Sequence, residues 1–323
     1  MTEPARPVRV GFVGCGRFAS TVHYPSLSDL EGAELVAIAE LDDGRRAAAG
    51  DRYGIPTSAR YRDHREMLAA ADVEAVYVVM EPGPAAPVVI DCLRQGRHVF
   101  MEKPPGIDLT VTERLADEAE RAGRILQVGW NRRFAPVIRR SAELLAGATP
   151  TLVMGEFHKA HPAPEPFCGT GSWLVVDQSH ALDAITFLAG GLPSSVTARC
   201  RALRGYADCN TALLGWDAGT TGIFMSNYVS GGRVERFELH CEDGAAYMEA
   251  PGEATIYRAG AEPERLEGAA LAGGDAYHRT YGYLQEGAHF LASVRAGTRP
   301  ETSIQHAVGI MRLAGEIERS VTA

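Results

Sequence analysis

The stretch from Val8 to Ala19 constrains this chain more than any other. Val8–Val13 is a short β-branched run, and Gly14-Cys15-Gly16-Arg17-Phe18-Ala19 follows it as a Gly-x-Gly-x-x-Ala turn opening a helix. The first glycine allows a tight turn, the second lets backbone approach a pyrophosphate, and the helix behind them presents its positive end to that group. Glycine-rich turns are common, so context decides. A second strand, Glu34–Ala39, ends in Glu40, about 20 residues beyond the motif, where a carboxylate accepts from both hydroxyls of an adenosine ribose. The plainer alternative for Glu40 is a solvated strand end. The ribose reading predicts NAD rather than NADP, because Glu40 repels a 2′-phosphate. Arg45 and Arg46, just beyond Asp42 and Asp43, are the side chains through which NADP would be held instead.

The rhythm that follows is alternating. Helical patterns over Asp43–Tyr53, Asp63–Ala71, Ala85–Gln95 and Asp108–Ala122 separate strands over Val73–Val79, His98–Met101 and Ile125–Val128, which predicts a doubly wound parallel sheet over residues 1–128. Beyond it strands come in succession: Thr151–His158, Val196–Leu203, Ala212–Trp216, Gly222–Val229, Val234–Cys241 and Ala245–Ala250. In one of them Phe237, Leu239 and Cys241 alternate with Arg236, Glu238 and His240, as in an antiparallel sheet with one buried face. Residues 129–323 are therefore expected to form an α+β domain on a large, mostly antiparallel sheet. One helix, Gln178–Leu188, interrupts the strands; two more, Tyr281–Ala296 and Ile304–Ser320, close the chain. Glu253–Gly274 reads as a loop.

Several function classes are disfavoured by composition. With 323 residues the chain suits two domains. A net charge of −9 without a basic stripe argues against nucleic acid. Apolar runs such as Val76–Met80 are too short to span a bilayer, and MTEPARPVRV lacks the pattern of a secretory leader, so a cytoplasmic protein without a membrane partner is expected. Cys15, Cys92, Cys168, Cys200, Cys209 and Cys241 are scattered without paired spacing and read as reduced core residues. His158, His161 and Glu165 match no metal-ligand spacing and read as loop residues, so no metal is expected.

Chemistry is expected at two places. Of 32 basic residues only Lys103 and Lys159 are lysine; where a bare charge suffices, this chain uses arginine. Lysine can donate to one oxygen as a compact charge and can have its pKa lowered. Lys103 follows the apolar strand at its carboxyl end, where doubly wound sheets bind ligands, and Pro104 and Pro105 stiffen the exit. Taken alone, it reads equally as a solvated strand end. The second place is Asp177-Gln178-Ser179-His180-Ala181-Leu182-Asp183, where Asp177, His180 and Asp183 are three apart and share one side of a helix. A carboxylate one turn from an imidazole can orient it as a general base. The alternative is structural, with Asp177 as a helix N-cap.

Together these motifs resemble the glucose-fructose oxidoreductase and inositol dehydrogenase (Gfo/Idh/MocA) family. The resemblance rests on the Gly14/Gly16/Ala19 turn, Glu40, Gly96-Arg97-His98-Val99 leading to Glu102-Lys103-Pro104, the Gly129–Phe134 run, and Asp177-x-Ser179-His180-x-x-Asp183. It implies an NAD(P)-dependent enzyme interconverting a secondary alcohol and a ketone on a sugar, aminosugar or cyclitol. Lys103 would bond the reacting oxygen, and His180 and Asp177 would act on its proton. Gly14, Gly16, Arg17, Phe18, Glu40, Glu102 and Lys103 are the implied cofactor contacts; Lys103, Arg133, Trp173, Asp177 and His180 are the implied substrate contacts. A homodimer or homotetramer through the C-terminal sheet is implied as well. Two departures stand out: Ala85 occupies the position of a histidine common after the fourth strand, and Val176 stands where inositol dehydrogenases place their aspartate, so either Asp177 or Asp183 would partner His180. Glu81 and Glu165 make an amino-substituted ring, as in antibiotic or deoxysugar pathways, a special case. The rivals are a metabolite sensor that binds cofactor without turnover and a glycosidase using transient oxidation, whose own signature this chain does not resemble.

Overall fold

A computed structural model describes residues 6–160 and 172–322. By internal contacts the chain divides into two compact units, Met1–Gly129 with Tyr283–Val308, and Trp130–Gly282 with Gly309–Ala323.

The first unit is built on six parallel strands: β1 (Val8–Val13), β2 (Ala33–Ala39), β3 (Arg60–Tyr61), β4 (Ala75–Val78), β5 (His98–Glu102) and β6 (Leu126–Gly129). Their order, β3-β2-β1-β4-β5-β6, is that of a dinucleotide-binding sheet, with the reversal between β1 and β4. Side chains on the connecting segments start the helices. Asp42 accepts from Arg45 N at 2.8 Å before the helix Asp43–Arg52, and Asp108 accepts from Val111 N at 2.9 Å before Leu109–Ala122. The helix expected from Ala85 begins at Pro82, a residue whose fixed φ suits a first helical turn. The core stacks Phe12 on Tyr24 and Tyr77 on Phe100, with ring centroids 4.1 and 4.6 Å apart. Phe290 and Leu291, from the helix Tyr283–Ala296, join the same core. The alternation pattern gives no hint of that return, since an apolar helix face does not say which core it enters.

The second unit holds a nine-stranded, mostly antiparallel sheet: β7 (Pro150–His158), β8 (Ser195–Ala202), β9 (Ala207–Gly215), β10 (Thr221–Asn227), β11 (Val234–Cys241), β12 (Gly244–Glu249), β13 (Glu253–Arg258), β14 (Glu264–Glu267) and β15 (Val321–Thr322). The expected fold class is borne out in both units. The segment Glu253–Gly274, expected as a loop, instead carries β13, β14 and the helix Gly268–Ala272. Ala254, Ile256 and Leu266 bury one face there, a short alternation that the neighbouring charged residues conceal. Two neighbouring central strands, β7 and β10, run parallel. The helix Ser179–Leu188 packs over β7 at Gly155, where a Cβ would lie 2.6 Å from Ile185 Cδ1, so any side chain there would have to displace Ile185.

Candidate active site

In the first unit the glycine turn and the end of β2 are one construction. Gly14 has φ +102°, and a Cβ there would lie 2.3 Å from Val79 O, so this position requires glycine. A Cβ on Gly16 would meet nothing within 4 Å, leaving the open backbone surface that a pyrophosphate needs. A helical run follows from Arg17, with Ala19–His23 wound as a π-helix and Tyr24–Asp29 as an α-helix. Glu40 reaches back to the turn: its Oε2 accepts from Cys15 N at 2.7 Å, and its Oε1 from Asp42 N at 3.0 Å and Arg45 Nη2 at 3.1 Å. Burial opposes the charge on Glu40, but the Asp42 and Cys15 amides and Arg45 outweigh it and hold the carboxyl below its usual range. Arg46 donates to Glu40 O and to Asp43 Oδ1, both at 2.7 Å. Both arginines the sequence raised as 2′-phosphate ligands are thus engaged with carboxylates. Cys15 Sγ lies 3.2 Å from Tyr24 OH, and burial pushes its pKa up to about 11, so the thiol stays protonated and inert.

Arg17 is exposed, and its carbonyl accepts from Thr21 Oγ1 at 2.9 Å. Phe18, also exposed, sets its ring edge-on to His23 and Tyr283. At the end of β5, Glu102 Oε1 lies 2.7 Å from Nε2 of the buried His23, while Oε2 accepts from Lys103 N at 3.1 Å. Sequence reasoning missed His23: a lone histidine in the first helix carries no signal until β5 is placed beside it. Lys103 is half-buried, and its bond to Pro104 is cis. Ala85 is buried in the helix Pro82–Arg94.

In the second unit Asp177 is not a helix cap. Ser172 Oγ accepts from Val175 N at 3.0 Å, the helical run begins at Trp173, and Asp177 lies inside a π-helical stretch, Leu174–Gln178, that leads into Ser179–Leu188. Asp177 Oδ2 accepts from Lys159 Nζ at 2.6 Å and from the hydroxyl of buried Tyr228. Burial, then the Asp177 charge, drives the Tyr228 pKa far upward, so Tyr228 is a fixed donor. Trp173 is buried with its ring centroid 5.0 Å from that of Tyr228. His180, also buried, lies roughly parallel to Phe157 at 6.5 Å between centroids. Arg133 is buried against Asp183, with Nε donating to Oδ2 at 2.8 Å and Nη2 to Oδ1 at 2.5 Å. The structure therefore groups Asp177 with Trp173, Tyr228 and Lys159, and Arg133 with Asp183. Lys159 was within reach of sequence reasoning, because the rarity of lysine that singled out Lys103 applies to it equally.

His161, Glu165 and Cys168 lie outside the described residues. Among the described residues no group of three or more His, Cys, Asp or Glu could hold a metal ion, and no helix is long and apolar enough to cross a membrane.

A glycine turn closed by a carboxylate at the reversal of a doubly wound parallel sheet defines a dinucleotide-binding protein. Comparison with known proteins agrees. Residues 8–130 match the oxidoreductase family with an NAD-binding Rossmann fold, and residues 146–247 match the GFO/IDH/MocA C-terminal domain. The chain belongs to the GFO/IDH/MocA oxidoreductase family, and its first unit is an NAD-binding Rossmann domain. It is 25% identical to myo-inositol 2-dehydrogenase of Thermotoga maritima over 312 residues, covering 92% of this chain and 91% of that one. It is 27% identical to D-apiose dehydrogenase of Paraburkholderia graminis over 322 residues, covering 94% and 84%. Among solved structures, a dehydrogenase from Chromobacterium violaceum shares the fold with a TM-score of 0.86 at 20% identity, covering 97% and 95%.

Proposed function

We propose that this protein is an NAD-dependent dehydrogenase interconverting a secondary alcohol and a ketone on a sugar or cyclitol. The observation that carries the reading is the mounting of Lys103: the Glu102 carboxylate bonds its backbone N–H and is itself anchored on buried His23, a rigid support of the kind a catalytic group needs. NAD supplies the acceptor for hydride. In the oxidative direction the role of His180 is that of a base for the hydroxyl proton, and the role of the Lys103 ammonium is to stabilise negative charge on a substrate oxygen. Glu40 favours NAD over NADP because its carboxylate stands where a 2′-phosphate would be repelled. The names of the relatives, inositol and apiose dehydrogenases, support the substrate class. An aminocyclitol or deoxysugar remains the special case, with exposed Glu81 as its motive.

The sheet of the second unit supports self-association as a dimer or tetramer. Leu213, Ile223, Met154, Glu238 and Tyr247 stand in register across five strands, and Leu213 and Tyr247 are 54% and 42% exposed. Such a continuous, partly apolar face is suited to a second copy.

The test follows NADH absorbance with myo-inositol, scyllo-inositol, D-xylose, D-glucose and one aminocyclitol. Turnover of a neutral polyol is expected. Cofactor binding without turnover of any panel member, in either direction, would favour the sensor reading and overturn this one.

A further inference from the structure

We propose that Lys159 and Asp177 together recognise two adjacent hydroxyls of the substrate, Asp177 accepting from one and Lys159 donating to the other. The inference deepens the polyol dehydrogenase reading and rests on it. Topology makes the pair. Strands β7 and β10 are parallel neighbours whose final register pair is His158 with Asn227, so the next residues, Lys159 and Tyr228, leave the sheet side by side. Lys159 N donates to Asn227 O at 2.8 Å and fixes this exit. The Lys159 ammonium then meets Asp177 Oδ2 at 2.6 Å, and Tyr228 donates to the same oxygen.

Burial gives the pair a direction. Tyr228 and Trp173 are buried, whereas the side chains of Asp177 and Lys159 are 14% and 30% exposed, so the ion pair is reached by solvent where the rings beside it are not. An ammonium carries three donors and a carboxylate about four acceptor positions, which places a donor and an acceptor within one hydrogen bond of each other. Adjacent hydroxyls, each able to donate and accept, complement that arrangement; an isolated hydroxyl engages half of it. Lysine suits this role in an arginine-rich chain because it bonds Asp177 as a compact charge and keeps its other donors free to rotate.

The test compares the panel polyol turned over best with its monodeoxy analogue lacking the hydroxyl beside the reacting one. Lys159→Met is expected to lower kcat/KM for the polyol on the order of tenfold or more, the scale of a hydrogen bond to a charged group, while changing the analogue little; Lys159→Arg is expected to recover part of the loss. Equal losses on both compounds, or none on the polyol, would overturn the pair. A second measurement needs no variant for its central comparison. Selective 13Cε-lysine labelling of this two-lysine chain, which leaves both ammonium groups intact, yields one side-chain NMR signal from each lysine, and Lys159→Arg assigns them. The polyol is expected to shift the Lys159 signal and the analogue to leave it in place; a Lys159 signal unmoved at saturating polyol overturns the inference. A wild-type enzyme active on the panel with an indifferent Lys159 removes only the diol pair, whereas a wild type inactive on the whole panel removes the dehydrogenase reading and the pair with it.

Discussion

Asp183 stands three residues beyond His180, and both of its carboxylate oxygens face the guanidinium of Arg133 in a buried bidentate pair. The pair ties the helix Ser179–Leu188 to the short 3-10 turn Asn131–Phe134. Removing one partner strands the other charge in the interior. Asp183→Asn is therefore expected to lower stability by about 3–5 kcal/mol, read as a drop in the urea midpoint at unchanged slope. An unchanged midpoint would mean that water reaches Arg133.

Lys103→Met and His180→Ala are expected to retain NAD binding yet lose turnover by roughly a hundredfold or more, the usual scale for an electrostatic donor or a general base. Cofactor fluorescence titration alongside steady-state kinetics separates the two effects. Activity surviving in both variants would sink the proposed chemistry.

At the cofactor end, Glu40→Ala removes the carboxylate proposed to accept from the ribose and releases Arg45 from it, while Arg46 keeps its bonds to the residue-40 carbonyl and Asp43. Its NAD affinity is expected to fall about tenfold or more, as for a lost charge-assisted hydrogen bond, and NADP affinity to rise. Direct titration with the two cofactors checks the ratio; a preference unchanged from wild type would place discrimination elsewhere.

Glu235 makes a pH prediction. Burial alone would raise its pKa, but Arg132, with its Nε 2.5 Å from Oε2, and Arg233 together pull it below the usual carboxylate range. A folded-state pKa below the unfolded one contributes stability that is present above the unfolded value and lost as pH falls through the folded one. Wild type and Glu235→Gln should therefore differ most near neutral pH and converge under acid. Urea titrations across that range measure the gap; a constant gap would refute the assignment.

How far the sequence could be read depended on distance along the chain. The turn at Gly14 and Gly16, Glu40 and the Glu102-Lys103-Pro104 strand end are local constructions whose residue types announce them. The contacts joining Lys159 to Tyr228 and His23 to Glu102 are long-range pairings that no periodicity encodes. Asp177 looked like a cap because aspartate before an apolar helix usually is one. Ser172 had already started that helix, and the π-helical stretch hid its true beginning. Strands β13 and β14 were too short and too charged for their alternation to stand out.

The first core draws Phe290 and Leu291 from a helix made long after β6, and the second unit takes back the chain from Gly309 onward. On the ribosome all six Rossmann strands are therefore made while one wall of their core is still missing, and that wall arrives only after nearly all of the second sheet has been made. Fragments cut at Gly129 are not the natural halves of this molecule: the shorter would carry bare apolar surface, and the longer would keep a helix whose partners it lacks.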